Sequence, residues 1–234
     1  MQIDGSVAFV TGANRGLGRA FVQALLARGA AKVYAGVRTP SAVSELDVIP
    51  IELDITDREQ VEAAAAFASD ADIVVNSAGI ATPGRPLTVS LADARRDLEV
   101  NVLGTLSVAQ VFAPVLAANG GGALVTMLSV MSWVTAPPIS VYAASKAASW
   151  SLTNALRIQL RDQNTLVTAV YCDSVATDMT AGLAKPMLSP AEVVCPVLAA
   201  VEAGAEEVLV GEYTRTVRAS LPDELQLLYP DGHR

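Results

Sequence analysis

An apolar burst, Val-Ala-Phe-Val at 7–10, runs directly into Thr-Gly-Ala-Asn-Arg-Gly-Leu-Gly at 11–18. No other stretch limits the fold so tightly. Gly12 permits a tight turn out of a strand, Gly16 lets the backbone approach a pyrophosphate, and Gly18 allows the next helix to pack closely on the sheet. A helix starting there presents free N–H groups and a positive dipole end to phosphate. A glycine triplet alone is weak, because any ligand-free loop can carry one. With a strand-like run before it and a helical pattern after it, the segment reads as the first unit of a dinucleotide-binding sheet.

The rest of the chain repeats that alternation. Strand-like runs fall at 7–11, 32–37, 48–53, 73–76, 123–128, 166–172 and 207–211, and most are rich in Val, Ile and Leu. Continuous apolar runs of this kind suit parallel strands covered on both faces. Amphipathic helical patterns lie between them at 16–28, 57–68, 91–118, 141–161 and 190–203. The segment 39–47 has room for a turn or two of helix. Strand, helix, strand, helix throughout predicts an α/β fold: a Rossmann-type, doubly wound three-layer α/β/α sandwich with a mostly parallel seven-stranded sheet. At 234 residues, 52% apolar and 17% charged, the chain can bury a large core in a single domain over 1–234.

Charge removes several function classes. A net charge of −8 makes nucleic acid a poor partner. The stretch 100–145 carries no charged residue, yet Gly104, Gln110, Pro114 and the Asn-Gly-Gly-Gly run at 119–122 interrupt it, so no membrane span is expected. A long helix buried on the sheet and against a partner subunit fits better. The single histidine, His233, stands next to the last residue. A Ser-His-Asp hydrolase or a histidine-liganded metal site is therefore not expected. Cys172 and Cys195 form no CxxC or Cys/His cluster, which predicts no metal site or disulfide framework. Both read as ordinary thiols, Cys195 as a small buried hydrophobe. The opening Met-Gln-Ile-Asp-Gly lacks a basic region and a long apolar core, so the expected location is the cytoplasm.

The choice of dinucleotide is written about one turn of the fold later. An acid after the second strand would hold the adenosine ribose, whereas an arginine suits a 2′-phosphate. Here Arg38 ends that strand, the next acid is Glu45, and Arg15 lies within the glycine loop. Guanidinium forks bind phosphate well. The pair favours NADP(H) over NAD(H).

Tyr142 and Lys146 stand at i and i+4, on one helix face. A free phenol titrates at about 10. A nearby ammonium is expected to lower it toward neutrality, so that the tyrosine exchanges a proton with a substrate oxygen. Ser129 follows the apolar strand at 123–128 and would orient that oxygen, with Ser132 as the competing hydroxyl.

Taken in order, the motif at Thr11–Gly18, Leu-Asp-Ile-Thr at 53–56, Asn-Ser-Ala-Gly at 76–79, Asn101, Ser129, and Tyr142 with Lys146 resemble the one-domain short-chain dehydrogenase/reductases over nearly the whole chain. The resemblance implies a cofactor site made by Gly12, Asn14, Arg15, Gly16, Leu17, Gly18 and Arg38 around the phosphates. Asp54 and Ile55 would flank the adenine. Asn76, Ala78 and Gly79 would line the middle, with Val175 and Thr177 near the carboxamide. Tyr142 and Lys146 would also touch the nicotinamide ribose. It implies a water-holding relay at Asn101 and a homodimer or homotetramer.

One stretch departs from the family. Cys172 and Asp173 stand where Pro-Gly is usual, although Val175, Thr177, Asp178 and Met179 match. Asp173 is read as a carboxylate near the nicotinamide or a cationic substrate group, or else as a solvated turn residue. The short apolar segment 180–189 suggests a small or hydrophobic substrate. The expected activity is reduction of a ketone or aldehyde, or the reverse oxidation of a secondary alcohol. The competing reading is a catalytically weak NADP(H)-binding sensor or scaffold. A Ser/Lys hydrolase lacks its SxxK or GxSxG arrangement. An epimerase or dehydratase would show another glycine spacing and a longer C-terminal region.

Overall fold

In β1 (Val7–Thr11) all but the first residue are buried, because the strand lies inside the sheet with helices over both faces. In the computed structural model, which describes residues 1–184 and 186–221, β1 pairs with β2 (Lys32–Val37) on one side and β4 (Ile73–Asn76) on the other. β3 (Ile49–Glu52) extends the sheet beyond β2. β5 (Gly122–Met127), β6 (Thr165–Cys172) and β7 (Glu207–Val210) extend it beyond β4. The order is β3-β2-β1-β4-β5-β6-β7 and every pairing is parallel, so the mostly parallel sheet predicted from sequence is wholly so. His233 lies outside the described residues.

Side chains alternate between two cores, as the pleat requires. Ala8 and Val10 face α1 (Gly16–Ala27) and α6 (Pro190–Glu202), whose Phe21, Val22, Leu25, Val194 and Leu198 are fully buried. Phe9 faces the other layer, where Val61 of α2 (Arg58–Phe67) and Phe112 of α4 (Thr105–Ala118) are fully buried. The result is the three-layer sandwich. Asp57 and Ser189 cap α2 and α6 with side-chain oxygens, and Pro190 opens α6 where its missing N–H costs nothing.

The segment 91–118 is one continuous helical run: α3 (Leu91–Leu98), a π-helical turn (Glu99–Gly104) and α4. Its 28 residues have the length of a membrane span, and an 18-residue window within them has a mean hydropathy of 1.7. Val108, Ala109, Phe112 and Leu116 are instead buried on the sheet, which makes it a core helix. Gly104 does not break it. A Cβ there would come 2.8 Å from Ile55 Cγ1, so glycine lets the helix pass close to Ile55.

A 3₁₀ turn, Pro40–Val43, fills part of 39–47, in keeping with the turn or two of helix expected there. Two other details differ from expectation. Cys195 is exposed rather than buried, because Val193, Val194, Val197, Leu198 and Val201 already form the inner face of α6. The sequence pattern also missed α7 (Glu212–Ser220), which follows β7.

Candidate active site

The strand order reverses between β1 and β4, and that divergence opens a crevice at their carboxyl ends. The glycine loop lines one side of it. Thr11 Oγ1 ties the loop to the other side by accepting from the amides of Ser77 (3.1 Å) and Ala78 (3.0 Å). Gly12 (φ +66°) and Gly16 (φ +53°) occupy left-handed backbone conformations. A Cβ on Gly12 would meet the Ala78 backbone at 3.0 Å, and one on Gly18 would sit 2.2 Å from the Gly12 carbonyl oxygen. Arg15 is the N-cap of α1 in an extended conformation, and no side chain caps the helix. The first-turn amides of α1 thus face the crevice unclaimed by any side chain, as an anion site requires. A pyrophosphate fits this backbone.

The residues expected around the adenosine, Arg38, Asp54 and Ile55, lie just past the ends of β2 and β3. Arg38 is exposed just past β2. Burial would raise the Asp54 carboxyl, but hydrogen bonds from the Thr56 hydroxyl and amide, with the charge of Arg38, hold it below the usual carboxylate range. The Arg15 guanidinium pairs at 3.3 Å with Asp178, the first residue of the turn Asp178–Thr180. A Cβ on Gly16 would meet Thr177 Cγ2 at 3.3 Å, so the glycine loop and the segment after β6 close over the same space. Val175 is buried and bridges Leu188. Asn76 donates to the Thr105 carbonyl at 3.2 Å, while its buried Oδ1 has no partner among the described residues.

Next to this cradle, α5 (Ser140–Gln159) presents Tyr142 and Lys146 to the end of β5. Lys146 is only 7% exposed. Its Nζ donates to the Met127 carbonyl at 2.7 Å and lies 5.7 Å from the centre of the Tyr142 ring. Ser129 follows at the first turn beyond β5, where its Oγ accepts from the Met131 amide at 3.1 Å. The Ser129 hydroxyl also lies near the Tyr142 phenol and favours its ionised form. The competing Ser132 has a buried Oγ without a partner among the described residues. Gly79 joins cradle and catalytic group: a Cβ there would lie 3.2 Å from Asn101 Oδ1 and 3.8 Å from Lys146 Nζ.

Asn101 sits in the π-helical turn and is almost fully buried. Its Oδ1 accepts from the Ile80 amide, and its Nδ2 donates to the Ile80 carbonyl and to Ser145 Oγ, all at 2.9 Å. Its carbonyl accepts from Ser149 Oγ at 2.9 Å. The side chain therefore holds the Ser77–Ile80 backbone to α5.

Electrostatics corrects the expectation that the lysine pulls the phenol down. Burial pushes Tyr142 well above the ordinary tyrosine value, the charges of Cys172 and Asp97 add to that, and the Ser129 hydroxyl opposes it. Burial also lowers Lys146 to about 8, against a partial rise from Cys172. Desolvation outweighs the attraction because Lys146 is buried and its ammonium bonds to the Met127 carbonyl. Cys172 is buried behind the pair, its thiol raised to about 12 by burial.

Asp173 turns away from the crevice. Its Oδ1 accepts from the Thr214 amide (2.7 Å) and hydroxyl (2.5 Å), and its Oδ2 from the Tyr213 amide (3.2 Å). It caps α7, and the expectation of a carboxylate beside the nicotinamide or substrate gives way to that geometry. The sequence offered no signal for it beyond the departure from Pro-Gly.

Comparison with known proteins follows the same lines. A model of the short chain dehydrogenase family matches residues 6–187. The 7alpha-hydroxysteroid dehydrogenase of Escherichia coli (strain K12) is 29% identical over 198 residues, spanning 80% of this chain and 77% of that protein. The crystal structure of a short chain dehydrogenase from Burkholderia cenocepacia J2315 in complex with NADP is 39% identical and superposes with a TM-score of 0.94 over 100% of both chains. A short chain dehydrogenase/reductase from Burkholderia phymatum in complex with NAD is 25% identical, with a TM-score of 0.85 over 97% of this chain and 96% of that one.

Proposed function

Because the chain belongs to the short chain dehydrogenase family of oxidoreductases, we propose that it is an NADP(H)-dependent carbonyl reductase. It interconverts a small or hydrophobic ketone or aldehyde with the corresponding alcohol. The observation that carries this reading is the meeting of Ser129, Tyr142 and Lys146 at the end of β5, beside an uncapped helix N-terminus.

The bound nicotinamide supplies or accepts the hydride. Every other part belongs to the chain. Gly12, Gly16 and Gly18 with Asn14 and Leu17 leave space and amides for the pyrophosphate. Arg38 and Arg15 bind the 2′-phosphate, Arg15 by leaving Asp178. The binding of NADP to the B. cenocepacia protein supports that preference, and the binding of NAD to the B. phymatum protein shows why it needs measurement. Asp54 and Ile55 flank the adenine, while Asn76, Ala78, Gly79, Val175 and Thr177 line the rest.

Tyr142, a neutral phenol whose pKa stands above the ordinary tyrosine value, holds the proton that the substrate oxygen takes up on reduction. Ser129 donates a hydrogen bond to the same oxygen. Lys146 anchors the ribose and returns a proton to the tyrosine, with Asn101 completing the relay. A homodimer or homotetramer and a cytoplasmic location go with this reading. Leu98, Leu103 and Ile158 are exposed on helices of one layer and suit a contact between copies.

The test is a Tyr142→Phe variant. It should bind NADPH as the parent does, by fluorescence, and lose carbonyl turnover by about a thousandfold or more. Turnover at the parent rate would remove the proposal. A parent that binds NADPH yet turns over nothing in a carbonyl panel would favour a sensor or scaffold.

A further inference from the structure

Asp173 holds three polar groups of a helix that begins 39 positions later, and that helix leans on the turn carrying Ser129. The cap is built from both sides. The N-cap residue of α7 is Gly211, at φ +100° and with no side chain to bond its own helix. A Cβ on Gly211 would fall 2.1 Å from Asp173 Oδ2, so the carboxylate fills the space of the missing side chain. Thr214 is fully buried. From there α7 reaches the site. Val217 packs with Val130 and Val134, the residues that flank the turn after Ser129. The Arg218 guanidinium lies 5.2 Å from the centre of the Trp133 ring, which stacks on Tyr171 of β6 at 4.1 Å. Arg218 is held in turn by Glu207 at 3.1 Å.

We propose that Asp173 is a positioning residue: by capping α7 from the end of β6, it clamps that helix on the Val130–Ser132 turn and fixes the Ser129 hydroxyl. The proposal rests on the oxidoreductase reading for the role of Ser129, but the clamp itself does not. Without the carboxylate, the α7 amides and the buried Thr214 hydroxyl lose their acceptor. Val217 and Arg218 then move off the turn, and Ser129 loses its alignment to Tyr142. The glycine loop follows β1, three strands across the sheet from β6, and keeps its own anchor through Thr11 to Ser77 and Ala78. The signature is a loss in kcat with cofactor binding preserved.

The experiment compares Asp173→Gly with Asp173→Asn, which keeps the acceptor oxygen that serves Thr214 and the side-chain volume. NADPH affinity is read by fluorescence, kcat and KM on the best carbonyl substrate, and Trp133 by near-UV circular dichroism in a Trp150→Phe background, each against that background. Asp173→Gly should keep its NADPH Kd within about twofold, lose kcat by about tenfold or more, and change the Trp133 band. Asp173→Asn should recover most of both. A kcat within about twofold of the parent in Asp173→Gly, an equal loss of NADPH affinity, or a loss in Asp173→Asn as large as in Asp173→Gly would overturn the proposal. Should the parent turn over no carbonyl, the oxidoreductase reading fails by itself. The Trp133 band then decides the clamp: an unchanged band in Asp173→Gly overturns it, and a change in Asp173→Gly that Asp173→Asn largely lacks supports it.

Discussion

Lys146 carries its charge in a place that resists charge. With burial holding it near 8, the folded state sheds its proton before the unfolded chain, whose lysine keeps the ordinary value of 10.5. The penalty is complete below about 8 and is relieved as pH rises toward the unfolded value. Two and a half pKa steps correspond to about 3 kcal/mol. Denaturant titrations should therefore show the parent gaining about 3 kcal/mol relative to Lys146→Met between mildly alkaline pH and the unfolded lysine value. A parallel pair of pH profiles would contradict the buried-cation picture. Lys146→Met should also abolish turnover. Position in the chain made Tyr142, Lys146 and Ser129 legible, because i, i+4 spacing and a strand end fix direction. The sign of the tyrosine shift was not legible, because it depends on how many atoms of other elements surround the hydroxyl.

At the scale of elements, the junction of β1 and α1 is the tightest constraint. Gly18→Ala places a methyl 2.2 Å from the Gly12 carbonyl, within backbone that cannot retreat from β1. The variant should lose about 1–3 kcal/mol of stability and about tenfold or more in NADPH affinity, measured by thermal melting and fluorescence titration. Parent-like values for both would mean that the loop is looser than its contacts imply. The five inner strands were readable because each is an apolar run buried on both faces, while the edge strands β3 and β7 are less buried at alternate residues. The missed helix, α7, buries only Thr214 and Val217 and leaves Tyr213 54% exposed, so no stripe announces it. Its start is set by a carboxylate from another strand. Cys195 failed in the opposite way: its type suggested burial, but its place on α6 points outward.

For the molecule as a whole, the sheet separates two cores, and the phenyl rings of Phe9 and Phe112 meet at 4.4 Å in one of them. Both are fully buried. Phe112→Ala should destabilise the fold by about 3–5 kcal/mol, read from the denaturant midpoint at unchanged slope. A loss below about 1 kcal/mol would mean that the layer collapses freely into the gap. The helical run 91–118 belongs to the same layer, yet Leu98 and Leu103 are 41% and 51% exposed. Light scattering should give a dimer or tetramer, and Leu103→Glu should shift it toward the monomer. A monomeric parent would remove that reading.

By itself the sequence determined the alternation of strands and helices, and it pointed to the glycine junction after β1 and to the hydroxyls that meet at the end of β5. Local spacing and hydrophobic period carry that information, and both survive without knowledge of what packs where. Only the tertiary structure decided that Tyr142 is held neutral, that Arg15 pairs with Asp178, and that Asp173 serves α7 rather than the ligand crevice. Each of those depends on which distant groups share a volume shielded from water. Desolvation and long-range hydrogen bonds belong to that shared volume, and no window along the chain contains it.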